Sequence, residues 1–212
     1  MKDSLTIPSP ITLNGRFVRL EPLLPHHAQP LAAAAHGHEE LFKWTFVPQG
    51  TAGMTEYVEK ATKGNDEGTM SAYAIINNST GKVLGSTRFW NIQFWDWPPT
   101  HERFGNQFPD VCEIGHTWLS PDAIRTPVNT EAKLLLLTHA FENWKALRVC
   151  FQTDARNERS RAAIQRIGGK FEGIVRAERM ASDFTVRDTA RFSILLSEWL
   201  EVKANLQLRL DV

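Results

Sequence analysis

The run EIGHTWLSPDAIRTPVNTEA, from Glu113 to Ala132, decides how the rest of this chain is read. Its first residues, with Val111 and Cys112 before them, extend to Leu119 as a strand. A short polar connection follows, in which Thr126 can act as an N-cap and Pro127 fits the first helical position. The helix so started reaches about Trp144, and its apolar residues, Leu134 to Leu137 with Ala140 and Phe141, cover more than one face and call for burial. A strand that enters a helix through a short loop brings backbone N–H groups and the positive end of the helix dipole to one point. Such a point can hold a pyrophosphate, although the spacing alone also fits an ordinary strand-loop-helix connection.

Downstream, Arg148 to Thr153 reads as a short buried strand, so that 111–153 forms a strand-helix-strand unit with a right-handed parallel crossover. Ser160 to Ile167 reads as a short helix ended by Gly168-Gly169, Phe171 to Arg179 and Val186 to Leu195 as a strand pair, and Ser197 to Leu206 as a closing helix. Upstream, Leu13 to Leu20 alternates as a first strand, Pro25 to Lys43 suggests two short helices broken near Gly37, and Thr51 to Lys63 a helix stopped by Gly64-Asn65-Asp66. Ser71 to Asn77 and Lys82 to Trp90 form a hairpin about Asn78-Ser79-Thr80-Gly81. Residues 91–112, with Trp95, Trp97, Pro98 and Pro99, are too proline-rich and aperiodic for a central strand and read as a long loop; residues 1–10 read as a loose leader. The order predicts an α+β fold around one mixed sheet, in a single domain spanning 1–212.

The bulk numbers narrow the function. A chain of 212 residues with 42% apolar content can bury a substantial core. Lys plus Arg and Asp plus Glu are 24 each, so no overall charge draws the chain to nucleic acid or to an acidic membrane surface. No apolar run is long enough for a signal segment or a membrane span, and Cys112 and Cys150 lack zinc or disulfide spacing, which together point to a reducing, cytoplasmic setting. His26-His27 and the pair His36 and His38 lack carboxylate or cysteine partners at ligand spacing, so no metal is expected and they read as surface histidines.

Three segments carry a family resemblance: Glu113-Ile114-Gly115, Asn129-Thr130-Glu131-Ala132-Lys133 with the leucines after it, and Asn157-Glu158-Arg159-Ser160 running on to Phe171-Glu172-Gly173. From Leu13 to Trp199 the chain resembles the GNAT superfamily of N-acetyltransferases, in its ribosomal-protein branch with the RimJ and RimL enzymes. The resemblance implies the GNAT fold, with helices on both faces of a mixed sheet parted between its fourth and fifth strands, and acetyl-CoA as co-substrate. It implies further that Thr117, Trp118 and Leu119 run beside the pantetheine arm, that Ile124, Arg125, Thr126, Val128, Asn129 and Thr130 hold the phosphates, and that Asn157 hydrogen-bonds the arm. Asn157 is by its type equally a turn residue. The superfamily's Q/R-x-x-G-x-G/A phosphate loop is replaced by Ile124, Arg125, Thr126, Pro127, Val128 and Asn129. Pro127 has no N–H, a lost donor worth about 1.5–3 kcal/mol that the Arg125 guanidinium and Thr126 hydroxyl could offset.

Amine acylation needs a neutral amine, hence a base. Glu113 corresponds to the strand glutamate that serves in some GNAT enzymes and is the first candidate; His116, whose imidazole titrates near neutrality, is the second. Strand alternation points the two to opposite faces unless a bulge intervenes, for which Gly115 is a suitable place. Ser160 matches the serine assigned as general acid, or else caps the helix that begins there. A backbone N–H near His116 or Thr117 is expected to meet the oxyanion. Trp44, Trp90, Trp95 and Trp97 are candidates for the wall of the amine acceptor pocket; core packing or an oligomer contact, as in a homodimer, is the alternative. The expected activity is direct acetyl transfer from acetyl-CoA to a protein N-terminal or small-molecule amine. The altered loop at Ile124 and Pro127 favours the rival reading, a CoA-binding or regulatory module without turnover.

Overall fold

The computed structural model describes residues 5–211. Eight strands lie in one sheet: β1 (Leu13–Asn14), β2 (Val18–Pro22), β3 (Ser71–Asn77), β4 (Val83–Gln93), β5 (Val111–Leu119), β6 (Arg148–Asp154), β7 (Lys170–Met180) and β8 (Val186–Leu195). Their order is β1-β2-β3-β4-β5-β6-β8-β7, with β5 and β6 parallel and the other neighbouring pairs antiparallel. Helices α1 (Ala28–Ala35) and α2 (Gly50–Asp66) pack with Leu23, Ala74, Ile76 and Trp118 on one face; α3 (Val128–Thr138) and α5 (Trp199–Leu208) join the larger core on the other, with Ile75, Phe89 and Phe192. The helix α4 (Glu158–Arg166) follows β6 and places Ile164 in that larger core. Among the described residues no helix is long and apolar enough to cross a membrane.

Helix α3 does run on towards Trp144, through a π turn at His139–Asn143. Its entry differs by a residue from the sequence expectation, because Thr126 donates to the Ala123 carbonyl (2.7 Å) while accepting the Val128 N–H (3.3 Å), and α3 itself begins at Val128.

The single strand expected over Leu13–Leu20 is a hairpin of β1 and β2, and its cause lies far along the chain. The Glu131 carboxylate accepts the N–H groups of Arg16, Phe17 and Val18, each at 2.7 Å, and so folds the turn back onto α3. Gly15 is required there, since a Cβ on it would sit 2.5 Å from the Glu131 carboxyl carbon. Helix α2 includes Gly64 and Asn65 and ends at Asp66; Gly64 makes room for Met70, and the chain turns at Gly68, whose φ is +65°.

The irregular segment is shorter than 91–112, because β4 runs to Gln93 and β5 starts at Val111. It is also ordered from within. Asp110, 2% exposed, accepts the Trp95 N–H (2.7 Å) and the Trp97 indole N–H (2.9 Å) and pairs with Arg103 (3.1 Å), while Trp97 stacks on His101. Of the leader, residues 1–4 lie outside the described residues; Ile7 is buried and its N–H donates to the Gly68 carbonyl (3.0 Å), so this part is anchored.

Candidate active site

Strands β5 and β6 pair only from Val111 to Glu113, against Arg148 to Cys150. Beyond Glu113 they part, so the β6-facing backbone of β5 has no ladder partner, although β5 stays paired to β4 as far as Leu119. A cleft of about 700 Å³ opens at this parting, within the size range of ligand sites.

The bulge that bends β5 sits one residue beyond Gly115. Arg88 pairs with Gly115 and Ser86 with Trp118, so Thr87 alone opposes His116 and Thr117, and His116 takes a φ of +49°. Because of it, Glu113 and His116 both line the cleft, which strict alternation would forbid. Thr117 is turned to the α3 side, where its hydroxyl bonds to that of Thr87 (2.8 Å) and to Lys133 Nζ (2.6 Å).

Glu113 is 2% exposed. Burial raises its pKa from 4.5 to about 7, against the opposing pull of the Asn91 amide (3.4 Å) and the Arg179 cation. The Trp90 indole N–H lies beside this carboxylate and also lowers its pKa, but it completes no hydrogen bond of acceptable geometry. His116 moves the other way, to about 4, through burial and then the cations Arg88, Arg179 and Arg187. The site therefore holds a carboxyl that titrates close to neutrality and an imidazole that is uncharged there. The carboxylate has the affinity suited to taking a proton at that pH, and the imidazole does not.

Asn157, not Ser160, caps α4: its Oδ1 accepts the Ser160 N–H at 3.0 Å. The Ser160 hydroxyl is thus spared the capping role, and it lines the cleft together with Asn157. At the other end, Ile124, Arg125, Thr126 and Asn129 line the cleft along with Thr117, Trp118 and Leu119. Arg125 has a φ of +61°, and the first-turn N–H groups of Asn129 and Thr130 have no carbonyl four residues back within α3 to bond to. Val128 and Thr130 do not line the cleft; Val128 is in the core and the Thr130 residue is buried.

Of the four tryptophans, Trp44 and Trp90 line the cleft, while Trp95 and Trp97 are gathered about Asp110 and do not. Trp44 belongs to a strap, Leu41–Phe46, that borders the cleft. Arg159 donates to the Leu41 carbonyl (2.9 Å), Ser182 to the Lys43 carbonyl (2.5 Å), and the Arg156 guanidinium stacks over the Trp44 ring at 4.3 Å.

Sequence reasoning gave no role to Lys133, Arg179 or Arg187, all of which line the cleft. Lys133 is buried, its ammonium donates to the Thr117 and Thr87 hydroxyls, and burial lowers its pKa to about 7. A lysine directly before four leucines was the available signal for it. Neither thiol lines the cleft, and burial raises the pKa of Cys112 well above its usual range and that of Cys150 as well. His27 is not a surface histidine; it is buried, accepts the Leu24 N–H and pairs with Glu21 (3.3 Å). Among the described residues Glu21, His26 and His27 come together closely enough to ligate a metal, but none of them lines the cleft and Glu21 already binds Arg19 (2.6 Å).

Comparison with known proteins agrees with this fold. A crystal structure of a GCN5-related N-acetyltransferase from Brucella melitensis is 31% identical, over 98% of this chain and 90% of that one, with a TM-score of 0.82. A protein provisionally assigned as an acetyltransferase from T. thermophilus is 32% identical over 95% of this chain and 97% of that one, with a TM-score of 0.76. The ribosomal-protein-alanine acetyltransferase of Vibrio fischeri, 13% identical over 90% of this chain and 99% of that one, shares the fold at a TM-score of 0.69. No curated protein matches the chain by sequence. The model of the acetyltransferase (GNAT) domain matches residues 18–170, which contain β5, its bulge, the 124–130 segment and α4, and the chain belongs to that family of acetyltransferases.

Proposed function

We propose that the protein transfers an acetyl group from acetyl-CoA to a primary amine by direct attack in a ternary complex, with Glu113 as the base. The observation that carries this reading is the parting of β5 from β6 immediately after Glu113, which sets a buried carboxylate with a pKa near 7 beside unpaired strand backbone. The chain's donors suit the co-substrate. The first-turn amides of α3 and the Arg125 side chain would hold the phosphates, the Thr126 hydroxyl being already donated to the Ala123 carbonyl, and the β6-facing backbone of 117–119 would pair with the amides of the pantetheine arm. Pro127 removes one donor, as its residue type dictates, and Lys133, whose Nζ donates to the Thr117 and Thr87 hydroxyls, lines the same cleft.

In the reaction the amine nitrogen forms a bond to the thioester carbonyl carbon while its proton passes to Glu113, directly or through water. A backbone N–H at the His116–Thr117 bulge meets the oxyanion, the carbon–sulfur bond breaks, and the thiolate takes a proton from the Ser160 hydroxyl as that hydroxyl takes one from solvent water. Asn157 Nδ2 is left to bond the cofactor arm, since its Oδ1 caps α4. Trp44 and Trp90 wall the acceptor end. Cytoplasmic residence and the protein N-terminal or small-molecule character of the acceptor belong to the same reading.

The test is release of free thiol from acetyl-CoA with a panel of amines, followed by kinetics with both substrates varied. Intersecting, sequential patterns with no burst support the scheme. A trapped acetyl group on Cys112 or Cys150 would contradict it, and saturable acetyl-CoA binding with no thiol release for any amine would favour a regulatory module.

A further inference from the structure

The face of the sheet that carries Glu113 is covered by α1 and α2 only over its first half; beyond it β6, β7 and β8 border the cleft through Gln152, Arg179 and Arg187. Two arginines stand on that border. Arg179 on β7 and Arg187 on β8 are direct cross-strand partners, and both line the cleft. Like charges placed opposite one another weaken a strand pair, so this register is unfavourable for the fold alone.

Nearby carboxylates offset it only in part: Glu178 lies within ion-pair distance of Arg179, and Asp154, Glu178 and Glu113 act on Arg187 from a distance. Arg187 is half-buried, its Nε donates to the Thr189 hydroxyl (3.1 Å), and no carboxylate of a described residue pairs with it within 4.0 Å. Arg179 donates to the Gln152 amide oxygen (3.0 Å), reaches Glu178 only at 3.6 Å and lies over the Trp90 ring at 5.6 Å. The neighbouring acids are engaged elsewhere: Asp154 is held by Arg156 and Glu178 by Arg191. Behind the bulge, buried Arg88 has its Nε and Nη2 without partners. All three cations act on His116. Glu113 is the one acidic side chain lining the cleft among the described residues, and it must be free to take a proton. The amine end of the site is thus net positive, which repels a bare ammonium and favours a molecule that brings its own anion.

Resting on the acetyl-transfer reading above, we propose that the acceptor carries a carboxylate close to its amine, and that Arg187 with Arg179 binds this carboxylate and sets acceptor choice. The carboxylate could be the α-carboxylate of a free amino acid or an acidic side chain next to a peptide N-terminus. In either case one guanidinium fork and a second cation across the strand pair suit a planar anion.

Two matched series separate the sources: short peptide amides with Asp or Asn in the second position, and free amino acids against their carboxamides at equal concentration of neutral amine. Turnover is read as kcat/KM at saturating acetyl-CoA, and binding without acetyl-CoA by tryptophan fluorescence. The expected result is at least a tenfold preference, in one series, for the carboxylate member. In Arg187→Gln this preference should fall to about twofold or less with the KM for acetyl-CoA unchanged, and Arg187→Lys should keep part of it. No preference in either series, a preference that survives in Arg187→Gln, or a variant whose acetyl-CoA KM rises as much as its acceptor KM would each overturn the proposal. Failure to bind acetyl-CoA would sink the transferase reading instead, while carboxylate discrimination in the binding assay would still decide this one.

Discussion

Replacing Glu113 with Gln sets activity against stability in a way that few other readings predict. The side chain is 2% exposed, and burial moves its carboxyl from 4.5 to about 7, which corresponds to about 3 kcal/mol against the ionised form. The sign follows from the direction of the shift. A carboxyl whose folded pKa is raised binds its proton more tightly in the folded state, so the native protein loses stability as pH rises from about 4.5 to about 7 and no further above that. The amide has nearly the same shape, cannot ionise, and escapes this loss. Glu113→Gln is therefore expected to match the native protein near pH 4.5 and to exceed it by up to about 3 kcal/mol above pH 7, read by urea unfolding at several pH values. Turnover should move oppositely, falling by about a hundredfold or more, since a general base contributes about 10²–10⁴. The acidic limb of the kcat/KM profile near pH 7 should vanish as well. A variant that keeps a third of its activity, or whose stability difference is the same at pH 5 and pH 8, would refute the argument that Glu113 is the buried base.

Further outcomes follow from other groups. Lys133, buried and shifted down to about 7, costs the folded state most when protonated, so Lys133→Met should raise stability below pH 7 and lose that advantage as pH approaches 10. If Lys133 serves the co-substrate, the same variant should bind acetyl-CoA more weakly in a calorimetric titration. Glu131→Ala strands three N–H donors of the β1–β2 turn and should destabilise the protein by about 3–5 kcal/mol, with loss of hydrogen-exchange protection confined first to β1 and β2. The His116 ring, held down to about 4, should show no titration between about pH 5.5 and pH 8 by NMR; a midpoint near 6.5 would show that burial and the three arginines do not act as described.

Much of this was legible in the residues. The strand-loop-helix run from Glu113, the hairpin at Asn78–Gly81 and the parallel unit across β5 and β6 follow from local signals, namely alternation, a glycine turn and a proline at a helix start. What escaped was set by partners distant in sequence. The split of Leu13–Leu20 into a hairpin depends on Glu131, more than a hundred residues away, and the compact order of 94–110 depends on Asp110. In the site, Gly115 marks a place for a bulge in β5, but the extra residue falls at His116–Thr117, because a bulge is a mismatch between two strands and its position depends on the register with β4. The sequence offers Ser160 as the cap and Asn157 as a turn residue, and only the hydrogen bond from the Ser160 N–H to Asn157 Oδ1 shows that Asn157 is the cap. The arginine pair of β7 and β8 could not be seen without the register.

The account depends most on the grip of the parted strand and the α3 amino terminus on a coenzyme A thioester, in spite of Pro127. Calorimetric titration of the purified protein with acetyl-CoA tests it directly. The account predicts saturable one-to-one binding that weakens with added salt, as phosphate contacts require, and weakens about tenfold in Arg125→Gln. Absence of any binding heat, and of any shift in unfolding temperature, at millimolar acetyl-CoA would contradict it.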